Sequence, residues 1–213
     1  MSEQVPLFLA PMSGVTDVAY RLLAREAGAD FTSTEFTAAS GLSRKDARSW
    51  AKVETHPRES PFIPQIFGGI EDEMVETARL LSKNADVIDL NFGCPAPKVT
   101  KTCAGAAMMG DPDNLVSMVS RCIEASDTPI SVKMRLGTGQ NSITVLEIAE
   151  RCAQLGVLRI CVHGRTLAQK YRGIADWDLI RKVVEVTEPY GVPVIANGDI
   201  VDSSSAERCL EVT

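Results

Sequence analysis

The sequence predicts an α/β fold, a (β/α)8 TIM barrel that stops before its eighth strand, and three observations carry that expectation. Short apolar strands alternate with helical segments seven times, at intervals near thirty residues, which implies parallel pairing and right-handed crossovers. The strands read as near-continuous apolar runs, as parallel strands buried on both faces do. No G-x-G-x-x-G follows the first strand, which weakens the rival architecture, an open doubly wound sheet built around a dinucleotide. A complete barrel takes about 250 residues, so a chain of 213 is one strand short.

Each unit has its own signals. Leu7–Met12 is a short apolar strand; Ser13-Gly14 turns it, Thr16 is a candidate cap, and Asp17–Ala27 is helical and closed by Gly28. Phe31–Phe36 is the second strand, followed by a helical stretch over Ser43–Lys52. Phe62–Phe67 is the third, turned by Gly68-Gly69. Glu71–Lys83 is an amphipathic helix with acids in its first turn. Asp86–Leu90 is the fourth strand, and a long polar loop follows it. Asp111-Pro112 opens a helix to about Ala125, with Pro at its first position. Pro129–Leu136 and Leu158–His163 are the fifth and sixth strands, separated by a helix from Ser142 or Thr144 to Leu155. A helix over Trp177–Val186 leads to the seventh strand, Pro193–Ala196, and Asp202 caps a last helix.

Composition narrows the class. The chain is 45% hydrophobic, with no apolar run of membrane-spanning length. Met1–Gln4 lacks the basic residues of a secretory signal. The six cysteines, at 94, 103, 122, 152, 161 and 209, have neither metal-ligand nor CxxC spacing. No metal is expected, and scattered free thiols fit a cytoplasmic protein. The net charge of −6 argues against tight electrostatic binding of nucleic acid by the whole surface. Basic residues cluster, however: Arg44, Lys45, Arg48 and Lys52; Lys98 and Lys101; Arg165, Lys170 and Arg172.

The ends of the strands are where the chemistry collects. Met12, Glu35, Gln65, Asn91, Cys94, Lys133, Arg135, His163, Arg165, Asn197, Gly198 and Asp199 all fall there. In a barrel these positions share one cavity at the C-terminal face. Cys94 sits between Gly93 and Pro95, on a turn that fixes its direction; it is a candidate nucleophile or proton donor, or a small residue filling a corner. Lys133 in a partly dry pocket suits a Schiff base or the neutralisation of developing negative charge. Gln65 and Asn197 both donate and accept, which suits a flat heterocycle with imide edges. Backbone amides near Gly198 suit a phosphate. His163 is the strongest base candidate, or a hydrogen-bonding partner of a ligand ring or phosphate.

With these residues in place, the chain resembles the tRNA-dihydrouridine synthases. The resemblance is carried by Ala10-Pro11-Met12 with Thr16-Asp17, by Gln65–Gly68, by Asn91-Phe92-Gly93-Cys94-Pro95 with Lys98-Val99, and by Gly105-Ala106. Further on it is carried by Ser131–Arg135, by Val162-His163-Gly164-Arg165-Thr166 with Tyr171 and Trp177, and by Ile195–Ile200. The resemblance implies one FMN-binding TIM-barrel catalytic domain over residues 1–213. It would reduce uridines in tRNA to 5,6-dihydrouridine with NADPH or NADH. It implies that Pro11, Met12, Gln65, Lys133, His163, Asn197, Gly198 and Asp199 bind FMN. Asn91, Arg135 and Arg165 would bind substrate, and Cys94 would be the general acid, with a thiol pKa held near neutral.

The chain also departs from that family. Its eighth strand and C-terminal helical domain are not in this sequence, so a truncated member is expected, and Leu167 stands where many members carry Arg or Lys. Three other classes stay open: an FMN-dependent dehydrogenase of a free pyrimidine, a non-catalytic or RNA-binding fragment, and a Lys133 Schiff-base aldolase.

Overall fold

The computed structural model describes residues 5–213, so the reading of Met1–Gln4 lies outside the described residues. The chain runs through β1 (Phe8–Leu9), α1 (Val18–Glu26), β2 (Phe31–Thr32), β3 (Thr37–Ala38), α2 (Ala39–Ser43) and α3 (Ala47–Ala51). It continues through β4 (Gln65–Phe67), α4 (Glu71–Leu81), β5 (Ile88–Phe92), α5 (Pro97–Thr100) and α6 (Pro112–Glu124). The rest is β6 (Ile130–Arg135), a hairpin of β7 (Gly137–Gly139) and β8 (Ser142–Ile143), α7 (Val145–Gln154), β9 (Ile160–His163), α8 (Trp177–Thr187), β10 (Val194–Asn197) and α9 (Ser203–Val212).

β1 pairs parallel with β2, and a six-stranded parallel sheet runs β3-β4-β5-β6-β9-β10. β2 and β3 are two pieces of one passage, so seven parallel staves stand side by side in chain order, as in a (β/α)8 barrel. Among the described residues no eighth strand pairs with β1 or β10.

The strands are not apolar on both faces. Even-numbered residues, Ile66, Leu90, Phe92, Val132, Met134, Ile160 and Val162, point outward into one core with Met74, Leu115, Met118, Ile148 and Ile180. The odd-numbered positions turn the other way, since strand side chains alternate, and they are largely polar. Cross-strand register stacks them in layers: Gln65, Asp89 and Ser131; then Asn91, Lys133 and Cys161; then Arg135, His163 and Asn197.

Local chemistry explains where elements depart from expectation. Asp17, not Thr16, caps α1 by accepting from the Tyr20 N–H; the Thr16 hydroxyl is taken up by Met12, whose N–H and C=O it bonds at 3.0 and 3.1 Å. The second strand breaks at 33–36, where Thr34 and Thr37 hydroxyls both donate to the Glu35 carbonyl, a local bond that competes with the ladder. The helix expected over Ser43–Lys52 is instead α3 (Ala47–Ala51) alone, preceded by α2 (Ala39–Ser43), with Lys45 at φ 59° between them. The loop after Cys94 is not simply polar: α5 and a 3-10 turn over Gly105–Gly110 bury Val99, Ala104, Ala106, Met108 and Met109. The β7–β8 hairpin follows the fifth stave and depends on Gly137, where an added Cβ would lie 2.0 Å from the Ser142 carbonyl oxygen.

Candidate active site

A hydrogen-bonded chain of side chains crosses the lower layers. Ser131 Oγ donates to Asp89 Oδ1 at 2.5 Å, and Gln65 Nε2 donates to Asp89 Oδ2 at 2.6 Å. Asn91 Nδ2 donates to Gln65 Oε1 at 2.7 Å. Asn91 Oδ1 then accepts the backbone N–H groups of Gly93 at 3.0 Å and Cys94 at 2.9 Å. Both amides of Gln65 and Asn91 are buried. Beside them Lys133 Nζ donates to Asn197 Oδ1 at 2.9 Å.

A cavity inside the staves is lined by Ala10, Pro11, Ser33, Asp89, Lys133, Arg159, Cys161 and Asn197. Arg159 closes it from one end, its guanidinium 5.2 Å from the Phe8 ring and 5.8 Å from the Phe31 ring. Pro11, Lys133 and Asn197 thus share a space, with Gln65 bonded to its wall through Asp89. Met12 does not line this cavity and is partly exposed, its backbone clamped by Thr16.

Cys94 is buried, 7% exposed, among Val99, Ala104, Ala96, Phe36 and Phe67. Burial pushes its thiol up from the ordinary value, against smaller lowering by the Ala96 backbone and Arg135. The expected near-neutral thiol is therefore corrected: desolvation disfavours the thiolate, and Cys94 is a protonated S–H at neutral pH. The sulfur lies in apolar surroundings, yet its own peptide N–H is held by Asn91.

The upper layer is a set of struts. Arg135 is 2% exposed and donates to the carbonyls of Gly93 at 2.7 Å, Thr166 at 3.1 Å and Lys170 at 2.7 Å. It joins the Cys94 turn to the loop after β9, and its guanidinium lies 5.5 Å from the exposed Tyr171 ring. Arg165 is 6% exposed rather than at the surface; Asp199 takes its charge at 2.7 Å, and Gly173 accepts at 2.7 Å. Asp199 also accepts from the Ala175 N–H at 2.7 Å, and that bond, with Arg165, holds its carboxyl below the usual range. Burial, then the nearby charges of Arg135, Lys133 and Arg165, push His163 down to about 3. His163 is therefore neutral and is a hydrogen-bonding group rather than a cation. Gly198 packs on its ring; a Cβ there would lie 3.0 Å from His163 Cδ2.

Of the basic clusters, Lys98, Lys101, Lys170 and Arg172 are exposed on two strand-end loops. The 44–52 group lies instead around α3, from the C-cap of α2 (Arg44) to the C-cap of α3 (Lys52), with Arg44 paired to Glu73 of α4. Sequence reasoning missed Asp89 and Ser131 as members of the site. The signal was present: both fall on the odd-numbered phase that also carries Gln65, Asn91 and Lys133. Among the described residues no group of three or more His, Cys, Asp or Glu is placed to hold a metal ion, and no helix is long and apolar enough to cross a membrane.

Comparison with known proteins gives the family and the fold. A probable tRNA-dihydrouridine synthase of Rhizobium leguminosarum bv. phaseoli is 41% identical over 99% of this chain and 65% of its own length. One from Rhodobacter capsulatus is 38% identical over 97% of this chain and 63% of its own length. tRNA-dihydrouridine synthase B of Klebsiella pneumoniae is 34% identical over 97% and 64% respectively. The chain thus spans somewhat under two thirds of the length of these relatives. A solved structure of nitroalkane oxidase from Streptomyces ansochromogenes shares the fold, with a TM-score of 0.54 and 17% identity over 98% of this chain and 62% of that one. The dihydrouridine synthase family model matches residues 8–213, and the chain belongs to that family.

Proposed function

We propose that residues 1–213 form the FMN-binding catalytic barrel of a tRNA-dihydrouridine synthase, with tRNA and NAD(P)H as its partners. The observation that supports it most is the joining of a protonated Cys94 turn to the inward polar layers through Asn91 and Gln65. The names of the relatives supply the substrate class.

The residues fit FMN. Lys133 Nζ spends one bond on Asn197; an ammonium has three donors, and the others suit a ring edge that becomes negative on reduction. Pro11 and Asn197 line the same cavity, Met12 follows Pro11, and Gln65 is bonded to Asp89 in its wall. Gly198 is half-buried against neutral His163, with no room for a Cβ, and its backbone, with that of Asp199, is the candidate phosphate side. When bound there, FMN reduced by NADPH or NADH would supply hydride chemistry toward C6 of the uracil.

The chain's own residues do the rest. Cys94 Sγ–H delivers the proton to C5, so the pyrimidine double bond takes up one hydride and one proton. Burial keeps that thiol loaded with its proton at neutral pH. Asn91 holds the acid's turn and borders the uracil. Arg135 and Arg165 serve the substrate from behind, setting the loops that carry Tyr171, Lys170 and Arg172. Lys98, Lys101, Lys170 and Arg172 face the RNA phosphates, and the target base leaves its stack to reach the flavin.

The test is to supply the protein with FMN, NADPH and unmodified tRNA and to weigh the digested nucleosides. Dihydrouridine in the tRNA is the expected product. Turnover of free uracil or dihydroorotate without any tRNA product would replace this reading by a free-pyrimidine dehydrogenase.

A further inference from the structure

We propose that Asp89 is a positioning residue whose carboxylate fixes, through Gln65 and Asn91, the direction in which the Cys94 turn is held. Donor and acceptor polarity sets the order of the chain of amides. A carboxylate offers only acceptors, whereas a primary amide offers a donor at one end and an acceptor at the other. Asp89 takes Ser131 Oγ–H on one oxygen and Gln65 Nε2 on the other. Gln65 must therefore turn its carbonyl oxygen upward, where Asn91 Nδ2 donates to it. Asn91 must then turn Oδ1 toward the turn, where two peptide N–H groups, Gly93 and Cys94, meet it.

The order reads the same from the other end. The two peptide donors need an oxygen, which sends Asn91 Nδ2 to Gln65, which sends Gln65 Nε2 to residue 89, where only an acceptor fits. Gln65 and Ser131 are fully buried, and Asp89 and Asn91 are each 6% exposed. Asp89 borders the cavity, but the amide of Gln65 does not, so water is poorly placed to replace the partner of Gln65, and low-dielectric networks of this kind act as units. Register supplies the rigidity, because Gln65, Asp89 and Ser131 are direct cross-strand neighbours on β4, β5 and β6. Both Asp89 oxygens go to neutral donors, so the group acts here through its acceptors.

The inference deepens the reading of Cys94 as the acid and rests on it for its meaning. Its test needs no flavin, RNA or turnover, so the failure of either is distinguishable. Amide hydrogen exchange is followed residue by residue, together with iodoacetamide labelling of Cys94, which peptide mapping separates from exposed Cys103. Asp89→Leu and Gln65→Leu should each speed exchange at Gly93 and Cys94 about tenfold, the worth of one lost hydrogen bond, and speed Cys94 labelling alongside. Val132 and Met134 in β6 should keep their protection. Asp89→Asn should behave as wild type, because its carbonyl still accepts from Gln65 while its amide donates to Ser131. Unchanged Gly93 and Cys94 exchange in Asp89→Leu, equal acceleration in β6, or an Asp89→Asn as fast as the Leu variant would each overturn it. Should Asp89→Leu not fold, Gln65→Leu and Asp89→Asn decide by the same criteria.

Discussion

Replacing Glu59 by Leu should cost this protein more stability than any surface change, although Glu59 touches no proposed ligand. Glu59 is 4% exposed and Arg21 1%. The carboxylate pairs with Arg21 Nε, and it accepts from Arg21 Nη2 at 2.9 Å, Thr32 Oγ1 at 3.1 Å and Thr55 Oγ1 at 3.0 Å. Arg21 donates onward to the carbonyls of Thr16 at 2.8 Å and Glu54 at 2.7 Å. Thr16 in turn clamps Met12, so the pair also steadies the Pro11–Met12 turn. Glu59→Leu leaves a buried guanidinium without its counter-charge, which costs about 3–5 kcal/mol. At about 2–4 °C per kcal/mol for a chain of this size, the unfolding midpoint should drop by roughly 6–20 °C. Adding Arg21→Met should restore much of the loss, because an apolar pair no longer strands a charge. Circular dichroism melts of the two single variants and the double variant measure this directly. A Glu59→Leu midpoint within about 3 °C of wild type, or a double variant no better than the single, would refute the reasoning.

Three further outcomes follow from the same geometry. His163 is held at about 3 in the folded protein while the unfolded chain protonates near 6.5. The unfolded state thus binds more protons between those values, and His163 lowers stability as pH falls from about 6.5, with no such effect above; His163→Gln should flatten that part of a urea-midpoint curve, and an unchanged slope contradicts the assignment. Gly198→Ala places a Cβ at φ +108°, 3.0 Å from both Ala175 Cβ and His163 Cδ2, so denaturant unfolding should show a loss of about 1–3 kcal/mol, whereas a neutral variant would contradict the close packing. Lys98→Ala with Lys101→Ala should reduce the slope of log affinity for tRNA against log salt by about 1.4–1.8; an unchanged slope would take that loop out of the RNA interface.

The frame of the fold was legible because its signals are periodic. Seven strand–helix units could be counted, and the glycines and caps that punctuate them are local. Asp111, Asp176 and Asp202 each cap the helix they precede. Gln65, Asn91, Lys133 and Asn197 were expected together at strand ends, yet Gln65 opens β4 and Lys133 lies within β6; their shared inward phase brings them to one side of the sheet. What was hidden depended on partners far along the chain. The strand over residues 31–36 looks continuous until the Thr34 hydroxyl accepts from Gln65 N–H, thirty-one residues on. Arg165 reads as a surface cation until Asp199, thirty-four residues later, buries it. The polar inner face was readable in principle, since Asp89 and Ser131 lie in phase with Asn91 and Lys133, but their hydrophobic neighbours masked the alternation. The direction of the Cys94 shift needed burial by Phe36, Phe67 and Val99, which no local pattern announces.

The central claim is that the Cys94 thiol hands a proton to a uracil in tRNA. The most direct measurement compares wild type with Cys94→Ala, each supplied with FMN, NADPH and unmodified tRNA, scoring flavin bound and dihydrouridine formed. The account predicts that the variant binds flavin as wild type does and forms little or no dihydrouridine. Full dihydrouridine formation by Cys94→Ala would contradict it.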